Sequence, residues 1–240
     1  ITMGYDGIVI IPITVEGAAP AIAYANEKKV PVITVDREVT ADAGVEVIGF
    51  VGADHVPMGE GSAELLIAAL EKMYPNEEKW NVIELEGTQG ASATLLRGKG
   101  IHNVLDKDPR INLISSLDAN FSTTEALSIA EDCLTANENL HAFIGHNDDI
   151  AIGCYQALVN VNKVGKVAIT GIDGTLACVE KVADGGIQGT VIQFPAMVTL
   201  GVETLVKYLD GEDIEFYNYY PTEKIGPEDA QRFIDEGKPY

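Results

Sequence analysis

The chain has 240 residues, 46% hydrophobic and 22% charged, enough length and apolar content for the core of one large domain or two small ones. Its 37 acidic residues face only 16 lysines and arginines, a formal charge of -21, so no basic track exists to release counterions from a nucleic-acid backbone. Cys133, Cys154 and Cys178 are too few and wrongly spaced for a disulfide framework or a metal site, and read as small buried hydrophobes. No apolar run approaches the roughly 20 residues that a membrane-spanning helix needs, and the first residues carry no leader-like basic and apolar regions, so export cannot be read from the chain.

In chain order, the spacing predicts a strand at 8–13 (IVIIPI), a helix at 18–28 and a strand at 30–36 (VPVITVD). A further strand at 45–52 (VEVIGFVG) follows through a short Thr/Ala/Asp/Gly loop with no helix between. Helices at 55–73, 91–106, 123–136, 149–162 and 176–184 then alternate with strands at 80–87, 111–117, 142–147, 166–173 and 189–194. Helices at 196–209 and 227–236 close the pattern. Such β-α alternation implies parallel sheets with right-handed crossovers, and nearly continuous apolar strands imply cover on both faces. Helix starts are marked by Ser122 or Thr123 with Glu125 behind, by Asp148 and Asp149 before an apolar run, and by Pro227.

Three stretches read as crossings between lobes: 45–54, Gln193-Phe194-Pro195, and the Tyr-rich 215–224. They predict an α/β fold of two Rossmann-like lobes with parallel sheets joined by a three-crossing hinge. The first lobe takes 1–52 plus 195–222, the second 53–194 plus 223–240. With two or three core strands against the usual four to six, the first lobe is expected to be incomplete, lacking one or two β-α units upstream.

Ligands of open parallel sheets bind outside the carboxyl ends of the strands. Here those ends are polar: Asp36-Arg37, Asn147-Asp148-Asp149, Asp173 and Gln193, with Arg97 in the second turn of the helix after Thr88-Gln89-Gly90-Ala91-Ser92. A monosaccharide presents hydroxyls that both donate and accept, which carboxylates, guanidinium groups and amides match between them without covalent chemistry. Each residue also has a plainer reading. Asp36-Arg37 and Asp173-Gly174 suit turns, 147–149 suit helix caps, Arg97 a solvated helix face, and Gln193 a hinge amide. Phe121 divides evenly between core and a stacking surface for a sugar's C–H face, and His146 points away from Asn147 by strand alternation. Joint position at one sheet edge is what favours a site.

The runs TVDRE, ELEGTQGASATLLRGKG, HNDDIAIG, GIDGT and VIQFP, in this order, resemble the ribose- and galactofuranose-type periplasmic sugar-binding proteins of ABC transporters, the class I solute-binding fold. The resemblance runs from Ile8 to about Ile225. It implies sugar contacts at Asp36, Arg37, Arg97, Phe121, Asn147, Asp173 and Gln193, a monosaccharide (a pentose or hexose, furanose forms included), a membrane permease as partner, a monomer, no cofactor or metal, and a periplasmic or cell-surface location. Ile11 stands where ribose-type members carry an Asn, as in the galactofuranose-type branch, whereas Gln193 is ribose-like.

An enzyme is disfavoured: His55, His102, His141 and His146 have no HExxH or Cys/His spacing, no GxSxG occurs, and Gly87 to Gly90 lacks the Lys-Ser/Thr of a phosphate loop. The remaining alternatives are the effector-binding core of a LacI-type regulator and the sensor lobe of a signalling receptor.

Overall fold

A computed structural model describes residues 1–39 and 43–240. Residues 40–42, part of the loop expected before the third strand, lie outside the described residues. Contacts divide the chain into two compact units. One takes Ile1–Asp54, Gly90–Leu95 and Phe194–Pro221, the other His55–Gln89, Leu96–Gln193 and Thr222–Tyr240.

The first unit is built on β1 (Ile8–Ile10), β2 (Val32–Val35), β3 (Gly49–Ala53) and β9 (Tyr217–Tyr220), all parallel in the order β1-β2-β3-β9. Helix α1 (Val15–Glu27) starts at Thr14, whose hydroxyl accepts from the Gly17 amide, and buries Ala18, Ile22 and Ala25, a helical spacing, against Val32. Residues 45–47 do not extend β3 as expected. Val45 and Val47 pack with α1, and the strand begins only at Gly49. Helix α7 (Met197–Leu209) covers the other face, where Met197 meets Ile33, Val35 and Val51.

The second unit has a parallel sheet in the order β5-β4-β6-β7: β4 (Trp80–Glu86), β5 (Ile111–Asp118), β6 (Ala142–Gly145) and β7 (Ala168–Thr170). Alternate residues enter opposite cores. Trp80, Val82 and Ile144 pack with α2 (His55–Met73) and α3 (Ser92–Leu105), while Ile83, Leu85, Phe143 and Ile169 pack with α4 (Thr123–Ala136), α5 (Asp148–Asn160), α6 (Leu176–Ala183) and α8 (Ala230–Asp235). All three cysteines are buried in the second of these cores, and burial pushes the Cys154 thiol well above its ordinary value. Strand β5 alternates half-buried and exposed residues because it is the edge.

The Tyr-rich stretch read as a crossing forms two strands. Tyr217 and Tyr219 of β9 stack at 5.4 Å and both pack edge-on against Phe50. After Pro221, β10 (Glu223–Ile225) pairs antiparallel with β8 (Thr190–Ile192). Among the described residues, no helix is long and apolar enough to cross a membrane.

Candidate functional site

Six non-glycine residues among those described adopt the left-handed region, and three of them, Asp36 (φ 65), Phe121 (φ 55) and Asp173 (φ 138), are sequence-predicted site residues. Side chains other than glycine avoid this region unless their surroundings enforce it, and functional positions collect such strain.

In the first unit, Asp36 turns the chain out of β2, its amide bonded to the Val51 carbonyl. The Arg37 guanidinium lies 3.6 Å from the Asp36 carboxylate and donates to the Ile13 carbonyl at 3.0 Å. Thus two strand ends, after β1 and after β2, hold one arginine.

In the second unit, Arg97 is the centre of convergence. Its guanidinium, almost fully buried, donates to the His55 Nδ1 (3.3 Å), the His146 carbonyl (2.7 Å), the Asp173 carboxylate (3.1 Å) and the Gln193 Oε1 (2.7 Å). The acceptors come from the start of α2 and from the chain beyond β6, β7 and β8, so one planar donor ties three strand ends together. Asp173 keeps 17% side-chain exposure.

Phe121 closes over Gly87: a Cβ there would lie 1.9 Å from the Phe121 Cζ, so only glycine admits the ring. The ring centre is 5.9 Å from the Arg97 guanidinium carbon. Asn147 is the N-cap of α5, accepting from the Ile150 amide at 3.0 Å. The cap expected of Asp148 and Asp149 therefore falls one residue earlier. Asp148 instead turns inward, fully buried, and accepts from Thr175 and Thr190.

Sequence reasoning missed His55 as an Arg97 acceptor and missed the support under the site. Glu84, buried at the centre of β4, accepts from His146 Nε2 at 2.9 Å, from Ser116 and from His102. Burial raises its pKa, but the bonds and charges of the two histidines and Ser116 prevail and hold the carboxyl below its ordinary value. An acid inside the apolar run WNVIELEG was the available signal, since a buried carboxylate requires partners. Glu84, Glu86 and His146 bring ligand atoms within 4.8 Å of one another, an arrangement that could share an ion, although Glu84 already accepts three bonds. Elsewhere, a depression of about 560 Å³ lined by Tyr74, Lys79, His141 and Lys166 lies at the opposite, amino-terminal ends of the strands, away from these groups.

Parallel α/β units whose strand ends gather hydrogen-bonding side chains define the class of small-molecule binding proteins with this fold. The chain belongs to the periplasmic binding protein domain family, whose profile matches residues 1–213. It is 34% identical to the ribose import binding protein of Haemophilus influenzae, over 87% of this chain and 68% of that one. It is also similar to the solved structure of an ABC transporter periplasmic solute binding protein from Actinobacillus succinogenes with bound D-allose, at 28% identity and a TM-score of 0.87, covering 96% of this chain and 82% of that one. A galactofuranose binding protein matches with a TM-score of 0.89 at 27% identity, covering 99% and 80%. The resemblance seen in the sequence is thereby established at the level of family and fold, and these relatives are binding proteins.

Proposed function

We propose that the chain captures a monosaccharide outside the cytoplasm and delivers it to an ABC transporter permease, without catalysis. The observation that carries this reading is the buried Arg97 guanidinium bonded to Asp173 and Gln193 beyond the carboxyl ends of β7 and β8. Such a planar donor beside a carboxylate and an amide matches hydroxyls that each donate and accept. In this reading Asp36 and Arg37 on one lobe, and Arg97, Phe121, Asn147, Asp173 and Gln193 on the other, enclose the sugar. Hinge closure at the three crossings would then present one ligand-dependent shape to the permease, which requires that the closed form bind the sugar more tightly than the open one. The relatives named for ribose, D-allose and galactofuranose support a pentose or hexose, in pyranose or furanose form, as the ligand.

A thermal-shift screen of pentoses and hexoses identifies the sugar. Calorimetry of Arg97→Ala and Asp173→Ala should then show binding weakened by about 2–5 kcal/mol each, because the remaining partners lose their bonds in a buried site. Unchanged affinity in both variants refutes the site, and stabilisation by an amino acid or nucleoside alone refutes the ligand class.

A further inference from the structure

Asp148 stands beside Asn147 yet points away from any hydroxyl-binding position, fully buried. Its Oδ2 accepts from the Thr175 amide (2.7 Å) and the Thr175 hydroxyl (3.0 Å), and its Oδ1 from the Thr190 hydroxyl (2.6 Å). The same Thr190 oxygen accepts from the Gly174 amide at 3.3 Å. The carboxylate therefore grips, directly or through Thr190, the two residues that follow Asp173. Gly171 leaves it room, since a Cβ there would meet the Asp148 Oδ1 at 2.6 Å.

The gripped turn is one that a peptide does not adopt freely. Asp173 (φ 138) and Gly174 (φ 77) are consecutive residues of positive φ, and only the second is a glycine. Backbone bonds flank the turn, the Asp173 amide to the Val191 carbonyl and the Gln193 amide to the Asp173 carbonyl. They align the strands without engaging the 174 and 175 amides, which depend on Asp148 and Thr190. Such strain persists only where the surroundings over-determine it.

We propose that Asp148, relayed by Thr190, is a positioning residue that holds Asp173 in its strained conformation, with its carboxylate on Arg97, ready for ligand. The inference rests on the sugar-binding reading for its consequence on affinity but not for its structural core. Asp148 joins the start of α5, the turn after β7 and strand β8, so the geometry of Asn147, Asp173 and Gln193 is set by one carboxylate that never touches the ligand.

Thr190→Val removes the relaying hydroxyl at constant shape, and Thr190→Ser restores it. In crystal structures of the ligand-free protein, Thr190→Val and Asp148→Asn should show Asp173 leaving its positive φ and the Arg97–Asp173 contact lengthening, while Thr190→Ser keeps both. Calorimetry with D-ribose and D-allose should show Thr190→Val weakened about tenfold, the equivalent of one lost hydrogen bond. Thr190→Ser should bind as the unsubstituted protein does. In an Asp173→Gly background, where no strained side chain remains to be positioned, Thr190→Val should cause no further loss. A turn that stays in place in both Thr190→Val and Asp148→Asn overturns the proposal, as does an equal loss with and without Asp173. Should the unsubstituted protein bind neither sugar, D-ribose and D-allose are refuted as its ligands while the crystallographic arm still decides the role of Asp148.

Discussion

Helices α2 and α3 cross with backbone against backbone, and this geometry allows a prediction that needs no ligand. A Cβ on Gly59 would lie 2.1 Å from the Arg97 carbonyl oxygen, and one on Gly100 would lie 2.1 Å from the Val56 carbonyl oxygen. Carbon and oxygen approach to about 3.3 Å at closest, so an alanine at either position must drive the helices roughly 1 Å apart, with no side chain able to swing aside. Overpacking of this kind costs about 3 kcal/mol at the upper end of its usual range. Alanine's better helix propensity returns about 1 kcal/mol, leaving a net loss of about 2 kcal/mol. Trp80, the only tryptophan, is buried in the core shared by Leu66 of α2 and Ile101 and Leu105 of α3, so its fluorescence reports this packing. In urea, the loss should lower the unfolding midpoint by about 1 M for Gly59→Ala or Gly100→Ala. The double variant should lose less than the sum, because the first alanine has already opened the crossing. Gly226→Ala meets only the Leu65 Cδ2, at 3.6 Å, and serves as the neutral control. A midpoint unchanged or raised in both Gly59→Ala and Gly100→Ala would refute the reasoning.

Three further outcomes follow from the same unit. Burial alone would lower the His102 pKa, but the Glu84 charge and the Asp106 hydrogen bond outweigh it and raise the imidazole above its ordinary 6.5. A raised histidine contributes stability that is fully present below pH 6.5 and is lost as pH rises through the folded value, so thermal melts of His102→Gln should lack that loss, and an identical pH slope would contradict the pairing. Glu84, held low, acts oppositely: its contribution is present above pH 4.5 and disappears as pH falls through its depressed value. Gly87→Ala should displace Phe121 and, if the ring stacks on a sugar, weaken binding roughly tenfold, the worth of one aromatic contact. Calorimetry with an unchanged constant would return Phe121 to the core.

Much of the fold was legible because period and strand-end chemistry are local. Parallel order, the helices and the apolar strands all follow from them. What was not legible depended on partners remote in sequence. Residues 45–47 have the β-branched composition of a strand, yet Val45 and Val47 do better against α1, and pairing begins at Gly49. The Tyr-rich stretch becomes two strands only because Phe50 offers Tyr217 and Tyr219 a surface and β8 offers β10 an edge. Neither partner lies within reach of a sequence window.

The candidate site divides along the same line. Residues that end strands could be named one by one, since within each parallel sheet the topology places the carboxyl ends along one edge. The residues that hold them there could not, because each support is a relation between separate strands. Glu84 binds His146 across neighbouring strands, and Asp148 reaches Thr175 and Thr190, 27 and 42 residues away. Asp148 and Asp149 look alike in sequence before the apolar run of α5, yet Asp148 is buried and Asp149 exposed. Only the burial of a charge, which demands donors, separates them. A binding site of this kind thus has two sets of polar groups to satisfy, one facing the ligand and one facing the protein. A polar residue immediately following a ligand-facing one at a strand end is the first place to look for the second set.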